Sequence, residues 1–134
     1  MALSLEVRTE RLPLRAPFRI SRGVKTHAEV VVARLSDGLA TGLGECVPYG
    51  RYGETVESVG GQLDAAGARL AAGERLAAVL ADLPAGAARN ALDCAAWDLE
   101  ARRDGRSVAA RLGLTLPPSL PTAVTISLDT PKAM

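Results

Sequence analysis

Three cations, Arg19, Arg22 and Lys25, stand within the stretch PFRISRGVKT, interleaved with the apolar side chains of Phe18 and Ile20. A guanidinium beside apolar residues on a mobile loop is how a lid grips a carboxylate while excluding water. A solvated loop arginine looks the same in a sequence, so both readings stand at this point. A second stretch, PYGRYGE, offers Tyr49, Arg51 and Tyr52 with the same ambiguity.

No other group makes a self-sufficient centre. Glu45, in GLGECVPYG, is either a catalytic carboxylate or an acceptor for loop or helix N–H groups. The two glycines before it are spaced G-x-G, but Val47 stands where a dinucleotide fingerprint needs its third glycine. They read instead as a bulge or a close backbone approach. His27 is the single histidine and has no partner at ligand spacing, which makes it a strand or surface residue rather than a metal ligand. Asp93 and Asp98 lie five apart on a helical stretch and point to different faces. Trp97 reads as core. Cys46 and Cys94 belong to no C-x-x-C motif and read as free, partly buried thiols in a reducing compartment. No residue is assigned as catalytic or as a metal ligand.

The totals exclude whole classes. Net charge is +1, and fourteen of the sixteen cations are arginines scattered along the chain without forming a basic run. With only Phe18, Tyr49, Tyr52 and Trp97 as aromatics, there is no base-stacking platform, so a nucleic-acid partner is not expected. Apolar runs fall short of the ~20 residues of a membrane helix, and MALSLEVRTE lacks the pattern of an export signal. These features predict a cytoplasmic location and no membrane partner.

The elements that position the loops follow from periodicity. LSLEVRTERLPL alternates apolar and polar residues as a half-covered strand does; HAEVVVARL and LATGLGEC supply two more, joined by the turn chemistry of SDG. APFRISRGVKT reads as an eleven-residue loop between the first two strands. From Thr55 the period becomes helical, with Val56, Val59, Leu63, Ala66 and Leu70 on one face and Gly73 as the stop. A short helix carries Leu76, Val79, Leu80 and Leu83. GAARNALDCAAWDLEARRDG makes the longest, with Leu92, Ala95, Ala96 and Leu99 inward and alanines that permit a close neighbour. SVAARLGL gives a last short helix capped by Ser107. The proline-rich TLPPSLP then leads to TAVTISL, a strand with no partner, and Thr130–Pro131 opens like a helix. Strands followed by helices argue an α+β unit. The trailing strand and helix start argue the first step of a second domain, which gives the boundaries 1–116 and 117–134.

Three stretches carry a family resemblance: PFRISRG, GECVPYGRYGE and LPAGAARNALDCAAWDLEAR. The chain resembles the N-terminal capping domain of the enolase superfamily, in the muconate lactonizing/mandelate racemase-like branch, and within it the dipeptide epimerases of the L-Ala-D/L-Glu type. The resemblance implies a three-stranded meander with three or four helices, followed by a β/α barrel that holds Mg²⁺ on acidic residues. Two barrel lysines take and return the α-proton of the substrate's Glu; none of these barrel positions lies in this sequence. The cap's implied share is recognition of a dipeptide. Arg22 pairs with the side-chain carboxylate, Ile20 and Phe18 form an apolar wall, Tyr49 and Tyr52 complete a lid, and Thr125 lines the pocket from the first barrel strand. Alone, the chain is then expected to be inactive and possible homo-oligomerisation is left open. N-acylamino acid racemase, muconate cycloisomerase and a non-catalytic binding or assembly module are the alternatives.

Overall fold

β-branched and apolar residues at alternate positions build a sheet that is covered on one face only. The structure, a computed structural model, describes residues 2–21 and 23–132. Strands β1 (Ser4–Ile20), β2 (Gly23–Ser36) and β3 (Thr41–Cys46) form an antiparallel sheet in the order β1-β2-β3. Leu5 lies opposite Leu35, Val7 opposite Ala33, and Val31 opposite Cys46, so the apolar positions of all three strands share one face. Glu6, Arg8 and Arg34 occupy the other, where Glu6 meets both arginines.

The eleven-residue loop expected between β1 and β2 is instead the far end of a long hairpin. Phe18 pairs with Lys25, Arg19 with Val24, and Ile20 with Gly23. Pro17 lies inside this stretch and Pro13 shortly before it. Because β1 is an edge strand, missing N–H groups are tolerated there, and the irregularity is confined to a register shift between Pro13 and Phe18. Beyond it, Phe18, Ile20, Val24 and Thr26 restore β-forming side chains.

Four helices follow: α1 (Val56–Ala71), α2 (Leu76–Asp82), α3 (Ala87–Asp104) and α4 (Val108–Arg111). Thr55 caps α1 in a reciprocal box with Ser58: the Ser58 N–H donates to Thr55 Oγ1 at 3.1 Å, and the Thr55 N–H donates to Ser58 Oγ at 2.9 Å. Val59, Leu63, Ala66 and Leu70 then face the sheet, all buried, as the spacing predicts.

Helix α3 sits so close to β3 that the glycines become obligatory. A Cβ built on Gly44 would fall inside the carbonyl oxygen of Ala91 and 2.8 Å from the Ala95 nitrogen. One on Gly42 would strike Ala95 and Leu99 backbone in the same way. The G-x-G of GLGEC is therefore a close approach, and the alanine-rich face of α3 meets a strand rather than another helix. Asp98 completes the contact by accepting the Leu43 N–H at 2.8 Å, which covers part of the sheet's exposed edge. Trp97 corrects the core expectation: it lies roughly 180° around the helix from Ala88 at ~3.6 residues per turn and is 37% exposed. The face against β3 has room for alanine and no room for an indole.

Among the described residues beyond Gly113 there is no helix or strand. The strand expected over TAVTISL is not formed; Leu128 meets the outer edge of β1 through a single backbone bond, its N–H donating to Arg19 O at 2.8 Å. The Arg19 N–H in turn donates to Ser127 Oγ at 2.9 Å.

Candidate functional site

The hairpin register decides which side chains leave its tip together. Phe18 and Ile20 are two apart, and Lys25 is directly opposite Phe18, so these three share one face. That face looks toward the segment from Val47 to Glu54, where a single 3₁₀ turn (Gly50–Tyr52) folds the chain back on itself. The Tyr52 N–H donates to Tyr49 O at 2.8 Å, and Gly53, at φ +75°, supplies the left-handed residue that ends the turn.

Glu54 fastens this turn to the helical layer. Its carboxylate accepts the Ala87 N–H at 2.7 Å through Oε1 and the Tyr49 N–H at 3.3 Å through Oε2. Gly86 makes the reach possible, since a Cβ there would lie 2.6 Å from Glu54 Oε1. The expected role of binding loop or helix N–H groups thus belongs to Glu54 and Asp98, while Glu45 is exposed. Nothing local in the sequence marks Glu54; the pairing joins residues 33 apart.

Hairpin tip and turn together enclose a cleft of about 430 Å³, lined by Ile20, Val24, Lys25, Pro48, Tyr49 and Arg51 among others. The Lys25 ammonium lies 5.4 Å from the centroid of the Tyr49 ring, within cation–π range. The Tyr49 ring is tilted 45° against Tyr52 with centroids 6.1 Å apart. Among the described residues no carboxylate lies within salt-bridge distance of Lys25 or Arg51. The cleft is therefore apolar in its walls and positive in its unpaired charge, a combination suited to an anion with a hydrocarbon stem.

The predicted site residues divide accordingly. Ile20 and Tyr49 meet in this cleft. Tyr52 stands beside Tyr49 but lines a neighbouring groove of about 790 Å³ with Glu45, Glu54 and Asn90. Phe18 lines a third, of about 1050 Å³, between the hairpin and the start of α1, with Lys25, His27 and Val56. Thr125 is exposed on the C-terminal segment and lines none of the three. Arg22 lies outside the described residues. Arg51, ambiguous in the sequence, lines the cleft, whereas Glu54 was not selected from the sequence.

Two chemistries find no support in the described residues. No three His, Cys, Asp or Glu side chains among the described residues converge in a way that would hold a metal ion, so these groups do not fit a Mg²⁺ site. Cys46, whose thiol donates to Val31 O at 3.6 Å, is pushed up to about 11 by burial and secondly by the negative charge of Glu54. It is protonated at neutral pH and a poor nucleophile. No helix among the described residues is long and apolar enough to cross a membrane.

Comparison with known proteins gives this geometry its context. Residues 2–113 match the family described as mandelate racemase / muconate lactonizing enzyme, N-terminal domain. The L-Ala-D/L-Glu epimerase of Escherichia coli (strain K12) is 46% identical over 131 residues, which are 98% of this chain and 41% of that protein. A solved enolase family member from Agrobacterium tumefaciens, with homology to dipeptide epimerases and with bound sodium and L-Ala-L-Glu and an ordered loop, superposes with a TM-score of 0.87. It is 47% identical and covers 98% of this chain and 40% of its own. A dipeptide epimerase from Methylococcus capsulatus, complexed with Mg and L-Arg-D-Lys, gives a TM-score of 0.77 at 36% identity, over 96% of this chain and 39% of its own. The chain spans about two-fifths of the length of these relatives.

Proposed function

Because this chain belongs to the mandelate racemase / muconate lactonizing enzyme N-terminal domain family, we propose that it is the substrate-selecting cap of a dipeptide epimerase of the L-Ala-D/L-Glu type. Its fold, a three-stranded antiparallel meander followed by helices, is the enolase-superfamily cap fold. In this reading residues 1–116 are the cap, and residues 117–134 are a linker with the first strand and helix start of a β/α barrel. The reaction is inversion at the Glu α-carbon, and the groups that move the proton belong to the barrel. Mg²⁺ is assigned to the barrel as well, in line with the metal in the Methylococcus capsulatus complex. The side chains of the described residues do not fit the ion.

The cap's own contribution is to bind, orient and exclude water. Arg22 pairs with the side-chain carboxylate of the substrate's Glu, a charge-assisted contact that a guanidinium can make in two parallel bonds. Ile20 and Phe18 cover the methylenes behind that carboxylate, Tyr49 and Tyr52 close the second side, and Thr125 borders the pocket from the C-terminal segment. Excluding water strengthens the Arg22 pairing by lowering the local dielectric. The 134 residues alone are expected to turn over nothing, and the free thiols fit a cytoplasmic enzyme.

The observation that carries this reading is the convergence of the hairpin tip and the 3₁₀ turn on one apolar-walled, positively charged cleft. A chimaera tests it: residues 1–134 replace the matching N-terminal part of the Escherichia coli epimerase, and L-Ala-L-Glu is incubated in deuterium oxide. Exchange of the Glu α-hydrogen together with formation of L-Ala-D-Glu supports the proposal. A folded chimaera that exchanges nothing while the parent does so refutes it.

A further inference from the structure

We propose that Glu54 is a positioning residue for substrate binding: its carboxylate fixes the place of the Tyr49 wall by tying the 3₁₀ turn to the N-terminus of α3. The inference rests on the cap reading above and concerns a side chain that stands outside the expected binding set.

Helix α3 supplies the fixed point. The first N–H groups of a helix have no acceptor within it. This helix brings none of its own, for Gly86 precedes it without a side-chain cap and its first turn contains no acidic residue. Glu54 provides the missing acceptor from 33 residues away, taking the Ala87 N–H at 2.7 Å at the positive end of the helix dipole. The helix has little freedom to follow the turn, because its backbone already lies against Gly42 and Gly44 of β3 with no space for a Cβ.

The second oxygen of Glu54 holds the turn. It accepts the Tyr49 N–H at 3.3 Å, while Tyr49 O accepts the N–H groups of Tyr52 at 2.8 Å and of Glu54 itself at 3.4 Å. Residues 49–54 thereby close on themselves, with Tyr49 on the 430 Å³ cleft and Tyr52 on the neighbouring groove. Without the carboxylate the turn keeps its internal backbone bonds and loses its tie to α3, so both rings shift together. Glutamine is no substitute. Both carboxylate oxygens accept from N–H donors, and one of the two glutamine positions is an NH₂ group that would face a donor. Glu54 touches no substrate in this scheme; it acts through Tyr49.

In the chimaera, Glu54→Gln is expected to raise KM for L-Ala-L-Glu about tenfold, the lower end of what one charge-assisted hydrogen bond supplies. The kcat should stay within about threefold, because a displaced wall weakens ground and transition states alike. Gly86→Ala reaches the same link from the other side, since its Cβ would lie 2.6 Å from Glu54 Oε1, and should raise KM in the same way. The double variant should be no worse than the stronger single one, as two changes to one contact do not add. A side chain that only caps α3 behaves otherwise: a partly unfolded population lowers the apparent kcat and leaves KM alone. An unchanged KM in active Glu54→Gln, whatever its kcat, would overturn the inference while leaving the cap reading intact. Where Glu54→Gln fails to fold, Gly86→Ala is read by the same criterion. Should the chimaera be inert, which counts against the cap reading, amide hydrogen exchange in the 134-residue chain still decides whether the turn is tied to α3. Gly86→Ala should speed exchange at Tyr49 about tenfold while residues 92–99 of α3 stay protected. Tyr49 exchange equal in parent and variant would sink the proposal.

Discussion

Replacing Gly44 by alanine adds one methyl group and should destabilise the fold strongly. The new Cβ meets backbone only: the Ala91 carbonyl and, at 2.8 Å, the Ala95 nitrogen. Backbone of a continuous helix cannot rotate away as a side chain would, so α3 as a whole must lift from β3 by more than ~1 Å to restore ordinary contact. A radial gap of ~0.5–1 Å already forfeits a quarter to a half of the dispersion attraction along a packed face. The buried residues of α3, from Ala88 to Ala101, all lie on the element that moves. The Leu43 N–H to Asp98 bond, 2.8 Å long, is stretched at the same time. Overpacking of ~1–3 kcal/mol and a weakened charge-assisted bond of ~1.5 kcal/mol together give about 3–4 kcal/mol. For a chain of 134 residues, this lowers Tm by about 10 °C or more. Urea unfolding followed by far-UV circular dichroism measures it. Gly61→Ala provides the opposite sign, since that glycine lies inside α1 with nothing within 4 Å of an added Cβ. It should stabilise by roughly 0.5–1 kcal/mol. A Gly44→Ala cost below ~1 kcal/mol would refute the close-approach reasoning.

Two further outcomes follow from the same structure. At pH 8 iodoacetamide should modify exposed Cys94 and spare Cys46, whose thiol is pushed up to about 11. The intact mass should therefore rise by one adduct in native buffer and by two in denaturant. Asp37, which caps the β2–β3 turn by accepting the Ala40 and Leu39 N–H groups at 2.9 Å, is held below its ordinary 3.8 by those bonds. A depressed carboxyl stabilises the fold well above pH 3.8 and loses that effect as pH falls through its folded value. Asp37→Asn should accordingly lower Tm at pH 7, and its difference from the parent should close in acid; a gap that is constant with pH would contradict the assignment.

What was legible in the sequence was what periodicity encodes. Val59, Leu63, Ala66 and Leu70 on α1, the Thr55 and Ser107 caps, and the inward face of α3 all follow from spacing and capping chemistry. The strand glycines were read as a bulge or a close approach, and the contact with α3 decides for the approach. The hairpin tip was read as a loop because its pairing, and the tolerance of Pro17 within it, depend on β1 being an edge strand, a property of the assembled sheet. Trp97 was misread because hydrophobicity outweighed its angular position on the helix. Ile20 and Tyr49 were selected as separate loop residues, and only the register brings them to one cleft. Glu54, Gly86 and the Lys25–Tyr49 contact depend on pairings between distant segments, which no window of sequence contains.

The central claim, that this cap reads an acidic side chain, is tested most directly by the ratio of kcat/KM for L-Ala-L-Glu over L-Ala-L-Gln in the chimaera, with and without Arg22→Met. The account predicts a strong preference for the acid that falls by at least about tenfold in the variant, with the kcat for L-Ala-L-Gln largely preserved. A ratio that stays where it was after Arg22 is replaced would contradict the account.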